Sequence, residues 1–156
     1  MCLNEICSSK EKKQYLKRRG DMFKVYKVVR RGKWGMRHYL PELYGAFSFR
    51  FRFRLGLNID ETTRKFIYLD QNYNTRYPAG FHAFTTKKGA QRWVGNYGRV
   101  VACYVKSSWI HTLGRQSCGQ VIVTKKIIMP GFGKLEPSKS LLKKALAKAK
   151  RSGSQL

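Results

Sequence analysis

Carboxylates are scarce in this sequence: eight Asp and Glu stand against 33 Lys and Arg in 156 residues, a formal net charge of +25. An enzyme working near neutral pH ordinarily holds a carboxylate, imidazole or thiolate in place with its neighbours. Between residues 22 and 130 the only acids are Glu42, Asp60, Glu61 and Asp70. Asp60 and Glu61 are adjacent, so in an extended chain they point to opposite faces, which is poor material for paired-carboxylate catalysis. His38, His82 and His111 are scattered and complete no metal set. Cys2, Cys7, Cys103 and Cys118 contain no CxxC pair and no zinc-type spacing, and read as reduced thiols in a reducing compartment. A nucleophilic Cys103 or Cys118 beside His82 or His111 is conceivable, but Cys103 lies in an alternating apolar run where a buried structural thiol is the ordinary outcome. Walker-type and dinucleotide-binding glycine patterns are absent. No apolar run approaches the ~20 residues of a membrane span, and the amino terminus has no signal-type apolar core. The expectation is a binder and not an enzyme, with no cofactor and no metal, located in the cytoplasm.

What is abundant is positive charge, and it is not confined to the ends. Residues 1–21 carry +3, residues 131–156 carry +6, and residues 22–130 carry +16. A hydrophobic content of 42% with 13% aromatics belongs to a folded chain. The folded part itself is therefore expected to be cationic. A field of that sign attracts nucleic acid, an anionic membrane surface or an acidic protein.

The sharpest pattern is AFSFRFRFRLGLNID, residues 46–60, where Phe47, Phe49, Phe51, Phe53, Leu55 and Leu57 alternate with Ser48, Arg50, Arg52, Arg54 and Gly56. Side chains alternate across a strand with period two, so one register buries the aromatic row and lines up three arginines outside. Neighbouring arginines then lie roughly 6.6 Å apart and repel by roughly 0.6 kcal/mol even in water. No acid between Glu42 and Asp60 relieves this. A polyanionic partner would; a merely solubilising face is the other explanation.

The pattern along the chain predicts an α+β fold: a single domain with a mainly antiparallel β-sheet and one packed helix, plus basic N-terminal and C-terminal helical extensions. Residues 1–21 read as an appended basic leader, with Ser8 or Ser9 capping a helix through Arg19 and Gly20 stopping it. The run Lys17 to Met22 can be encoded by a purine-rich stretch resembling a bacterial ribosome-binding site before an ATG, which makes Met22 an alternative start. Residues 22–130 form the expected body. Its strands are Phe23–Arg30, a short return at Met36–Leu40, the arginine strand with Arg64–Leu69 as hairpin partner, Phe81–Phe84, Arg99–Val105 and Gln120–Met129. Gln71–Gly80 reads as a polar loop, Thr85 or Thr86 caps a helix through about Val94, and Trp109 to Gly114 reads as a connection. Residues 131–156 hold an amphipathic helix, Pro137–Ala149, with lysines on one face. It could dock on the sheet, lie along an anionic partner or at a membrane surface, or fray.

For phosphate the candidates are Arg50, Arg52 and Arg54, a second strip of Lys24, Lys27, Arg30, Arg31 and Lys33, and Arg76, Lys87 and Lys88. For stacking on bases they are Trp34, Tyr39, Tyr44, Tyr73 and Tyr77, which stand beside bases or glycines. His82, in Gly80-Phe81-His82-Ala83-Phe84, either anchors the strand-to-helix turn or contacts a ligand. No helix-turn-helix or RNP-like signature supports sequence-specific readout.

From Gly80 onward the order Gly-Phe-His-x-Phe, a capped helix with Trp93, a strand ending Tyr104-Val105, then His111, Gly114 and a Val-Ile-Val strand resembles small phage-encoded accessory proteins. It is similar to the phage family called Thoeris anti-defence one. The likeness covers about fifty residues, assigns no binding residue and does not account for the arginine strand. It implies a sponge sequestering an anionic cyclic nucleotide signal, usually as a homo-oligomer. The residues themselves favour a non-enzymatic binder of RNA, DNA or an RNA-guided nucleoprotein complex, of the kind a phage-encoded, anti-CRISPR-like inhibitor would be in the bacterial host cytoplasm. A virion- or ribosome-associated structural role is the further alternative.

Overall fold

The computed structural model describes residues 3–31, 39–41, 53–60, 66–69, 71–94 and 98–153. The elements run β1 (Glu5–Ile6), α1 (Ser9–Arg19), β2 (Met22–Arg31), β3 (Tyr39–Pro41), β4 (Gly56–Ile59), β5 (Phe66–Leu69), β6 (Asn72–Pro78) and β7 (Phe81–Phe84). They continue with α2 (Lys87–Trp93), β8 (Gly98–Lys106), β9 (Ile110–Gln116), β10 (Gly119–Thr124), β11 (Lys126–Met129) and α3 (Lys139–Gly153). Among the described residues, nine strands form one antiparallel sheet in the order β1-β9-β10-β7-β2-β8-β11-β4, with β3 paired to β2; β5 and β6 form a separate two-stranded ribbon. The α+β class with a mainly antiparallel sheet and a packed α2 is as expected from the sequence.

Strand β2 lies in the middle of the sheet and is buried on both sides. Phe23, Val25 and Val29 face one apolar cluster, with Phe53, Phe81, Val101, Cys103 and Ile122, on which Tyr15 and Leu16 of α1 pack. Val28 and Tyr26 face a second cluster, formed with Ala90 and Trp93 of α2 and Ile67, Leu69 and Tyr77 of the ribbon. Period-two alternation therefore sends successive apolar residues into two different cores. A helix on each side covers what would otherwise be wet.

Residues 1–21, expected to be appended to a body beginning at 22, are built into it. Glu5–Ile6 adds an edge strand to β9. Leu3 is completely buried and Cys7 is 7% exposed. A Cβ on Gly114 would collide with Leu3 Cδ1 and come within 2.6 Å of the Glu5 carbonyl oxygen, so the close approach of the leader requires glycine there. The helix that follows starts as expected: Ser8 accepts from the Glu11 N–H, the Glu11 carboxylate accepts from the Ser8 N–H, and Gly20 ends it at φ +80°.

Five other expectations are corrected. The strand after Phe53 pairs with β11, and Phe66–Leu69 pairs instead with Asn72–Pro78, which is therefore not a loop. The segment through His111 and Gly114 is a strand, β9, at the heart of the β1-β9-β10 edge. The run Gln120–Met129 is two strands separated at Lys125, because β10 pairs with β7 and β9 whereas β11 pairs with β8 and β4. Finally, Leu55 leaves the apolar row: it is 64% exposed because the chain bends there and Gly56 takes φ +85°, a conformation that favours glycine. The Asn58 side chain braces the bend, accepting from the Arg54 N–H at 2.9 Å and donating to the Arg54 and Gly56 carbonyls at 2.8 and 3.0 Å. Helix α3 docks beside this bend, with Leu141 against Gly56 and with Ala145 and Ala149 buried. Ser138 caps it through the Leu141 N–H.

Candidate nucleic-acid interface

Every acid among the described residues is already engaged. Arg115 holds both Glu5 and Glu11, at 3.0 and 2.6 Å. Lys106 pairs with Asp21 at 3.3 Å, Lys125 with Asp60 at 3.7 Å, and Lys24 with Glu136 at 2.6 Å. These contacts shift the titrations as expected. Hydrogen bonds from the Ser8 N–H and from Arg115 hold the Glu11 carboxyl down at about 2, and the Lys24 ammonium holds Glu136 below the usual carboxylate range. Four bases thus neutralise five acids, and the excess positive charge stands elsewhere.

Part of that excess converges on a cleft of about 650 Å³ between the end of α1, the start of α2 and the β9–β10 turn. Arg18 and Arg19 enter from the last turn of α1, where cations are favoured by the helix dipole. The Arg19 guanidinium lies 5.2 Å from the Tyr15 ring centroid, and Tyr15, one turn earlier, floors the cleft beneath it. Lys88 and Arg92 enter from α2, four residues apart and so on one helix face, where they repel each other. Thr86 caps α2 through the Gly89 N–H at 3.1 Å and lines the cleft with Thr85 and Gln120. All four cationic side chains are exposed. Among the described residues the lining holds no carboxylate and no imidazole. This arrangement can seat phosphate oxygens on forked and point donors; Cys118, raised above as a possible nucleophile, also lines the cleft as a free thiol, with no imidazole among the described lining residues.

A second cationic surface is α3, which carries Lys139, Lys143, Lys144, Lys148, Lys150 and Arg151, all exposed, and no acid. Ala145 and Ala149 are buried and Leu141, Leu142 and Leu146 half-buried, so the bases lie on the outward side.

The candidates read from the sequence divide. Lys88 lines the cleft and Lys87 is exposed at the start of α2. Arg54 is exposed beside a buried Phe53, as the alternation requires, and Arg76 is exposed on β6. Arg50, Arg52, Lys33, Trp34 and Tyr44 lie outside the described residues, as do the side chains of Arg30, Arg31, Tyr39 and Tyr73. Two candidates are corrected, and a third takes the first of its two readings. Lys27 is 2% exposed; its ammonium donates to the His82 carbonyl at 2.7 Å and lies 5.8 Å from the Phe53 ring. It is three residues from Lys24, hence on the other face of β2, and Lys24 itself is held by Glu136. Tyr77 is 2% exposed and belongs to the core. His82, 3% exposed, is an anchor and not a ligand contact. Arg18, Arg19 and Arg92 were not among the candidates, although the basic close of α1 is visible in Lys17-Arg18-Arg19.

The anchor is a chain of hydrogen bonds. His82 Nδ1 lies 3.2 Å from the Gly80 carbonyl oxygen, an acceptor, so Nδ1 carries the proton and Nε2 accepts from the Tyr77 hydroxyl at 2.9 Å. The Tyr77 oxygen accepts in turn from the Leu3 N–H at 3.1 Å. Burial, then the nearby Lys27 charge, push the His82 titration well below its ordinary 6.5. Burial and then Lys125 push His111 the same way. The unfolded chain therefore takes up protons near pH 6.5 that the folded chain refuses, and stability falls as pH drops below that point. We expect a decline of up to about 1.4 kcal/mol per pH unit from His82 as pH falls through the window just below 6.5. Urea unfolding at stepped pH would show it, and a flat profile across that window would contradict it.

Cys103 is no nucleophile in waiting. It is fully buried, its Sγ lies 3.2 Å from Met129 Sδ, and burial pushes the thiol up to about 12. No group of three or more His, Cys, Asp or Glu among the described residues is placed to hold a metal ion, and no described helix is long and apolar enough to cross a membrane. Comparison of the chain with protein-family models, with curated proteins and with solved structures finds no match.

Proposed function

We propose that this protein is a non-enzymatic binder of nucleic acid, alone or within a nucleoprotein complex such as a host RNA-guided defence effector, and that it works in the cytoplasm. The observation that carries this reading is the cleft: four cationic side chains from two helices converge on one space while every described acid is occupied elsewhere. Like charges are held together at a standing electrostatic penalty unless a polyanion relieves it. Phosphate contacts would dominate the affinity, which should therefore fall steeply with salt. Four cleft contacts correspond to a log–log slope of about −2.8 on a single strand and about −3.6 on duplex DNA. Fluorescence anisotropy with labelled RNA and DNA across a salt series measures this. Binding that ignores salt, or no binding to any strand at low salt, would defeat the proposal.

The size of the cleft favours one second reading. About 650 Å³ is within the range of small-molecule sites, which suits sequestration of an anionic signalling nucleotide, possessing its own signature: a nucleotide released when the purified protein is denatured.

A further inference from the structure

The β5–β6 ribbon carries a surface that charge alone does not explain. Its inner face, Ile67, Leu69 and Tyr77, packs into the second apolar cluster. Period two then turns Phe66, Tyr68 and Arg76 outward together, and the register sets Tyr68 directly opposite Arg76. Phe66 is 43% and Tyr68 49% exposed, and the Arg76 guanidinium lies 4.4 Å from the Phe66 ring centroid. Isolated exposed aromatics are common on protein surfaces. Two aromatic rings on one strand face, two residues apart and one of them under a guanidinium, are less ordinary. The exposed neighbours Asn72, Asn74 and Pro78 add no negative charge; residues 66–78 hold one acid, Asp70, which lies outside the described residues.

We infer that this outer face is a stacking platform for unpaired bases, so that the nucleic acid bound is single-stranded. The inference rests on the nucleic-acid reading above and adds what kind of strand is taken. A duplex keeps its base faces stacked on one another and offers only phosphates and groove edges to a flat ribbon. A single strand offers every base face, and aromatic rings receive them with little regard to sequence. Arg76 serves twice, stacking on Phe66 and presenting its remaining donors to a phosphate. The rings supply contact without charge; the surrounding bases supply charge without selection for unpaired strands.

The test separates those contributions. A single strand of about 20 nucleotides exceeds the ~4–16 nucleotides that compact single-strand-binding folds occupy. Such strands, as RNA and as DNA, and their duplexes would be titrated against the full chain and against Phe66→Ala/Tyr68→Ala. Each ring is worth roughly 5- to 150-fold in affinity. The double variant should lose at least about 25-fold on single strands, keep its salt slope, and change less than about 2-fold on duplex; Tyr68→Phe should bind like the parent. Arg76→Gln should instead flatten the single-strand salt slope by about 0.7. Because both rings are exposed, thermal unfolding should be little altered. Single-strand affinity within about 2-fold of the parent in the double variant, or an equal loss on duplex, overturns the inference and leaves the nucleic-acid reading standing. A change in solution mass in place of a change in strand affinity makes the face an interface between copies and overturns it too. Absence of all binding by the parent chain at low salt overturns both.

Discussion

A chain beginning at Met22 is expected to lose its cooperative unfolding transition. Its missing residues include Leu3, fully buried against Gly114, and Cys7, Tyr15 and Leu16, which pack on the first apolar cluster. The Leu3 N–H also satisfies the Tyr77 hydroxyl in the buried chain that ends on His82. Removing one such leucine side chain typically costs about 2–5 kcal/mol, against a total stability of about 5–15 kcal/mol for a whole domain. Loss of the strand, the helix and the core residues together exceeds what the remainder can absorb, and it exposes the edge of β9 to intermolecular pairing. Thermal unfolding followed by circular dichroism, with dye binding to exposed apolar surface, would read the outcome. A sharp transition within a few degrees of the full chain would contradict it. Leu3→Ala in the full chain is the milder companion and should unfold cooperatively at a lower temperature.

Replacing Arg18, Arg19, Lys88 and Arg92 together by Gln should weaken nucleic-acid binding on the order of 10²-fold at 0.15 M salt, with a salt slope shallower by about 2.8 on a single strand. The side chains are exposed and hold no acid among the described residues, so folding should survive. Relieving the Lys88 and Arg92 repulsion along α2 should even favour the helix slightly, by about 0.2–0.5 kcal/mol. Anisotropy at several salt concentrations gives both the affinity and the slope, and a melting curve confirms that the variant is folded. Unchanged affinity in a folded variant would remove the cleft as the phosphate site. The remaining cations of α3 would then be the place to look, through Lys143, Lys144 and Lys148.

Legibility differed from element to element. The caps of α1 and α2 were readable because a capping side chain acts on backbone only three residues away, as Ser8 does on Glu11 and Thr86 on Gly89. The ribbon strand Asn72–Pro78 was not, since Asn72, Asn74 and Arg76 are exposed and Tyr77, which is buried in the core, looks like any loop tyrosine. Lys27 shows a missed parity: three residues from Lys24, it had to face the other way, and the sheet is buried on that side as well. Gly56 hid the bend after Arg54, because a glycine in an alternating row reads as a gap and not as a bend. Phe66 and Tyr68 could have been found as the even-numbered neighbours of Ile67 and Leu69 once that short run was assigned its inner face.

By itself the sequence determined the cationic balance, the α+β class, the helix starts and the poverty of catalytic groups. Those follow from composition and from interactions that reach three or four residues along the chain. Only the tertiary structure decided which charges are spent and which are left to act. Arg115 meets Glu5 and Glu11 across 110 and 104 residues of chain, and the cleft joins the end of α1 to the start of α2 across the intervening strands. Neutralisation and convergence depend on distances in space, to which no local pattern is sensitive.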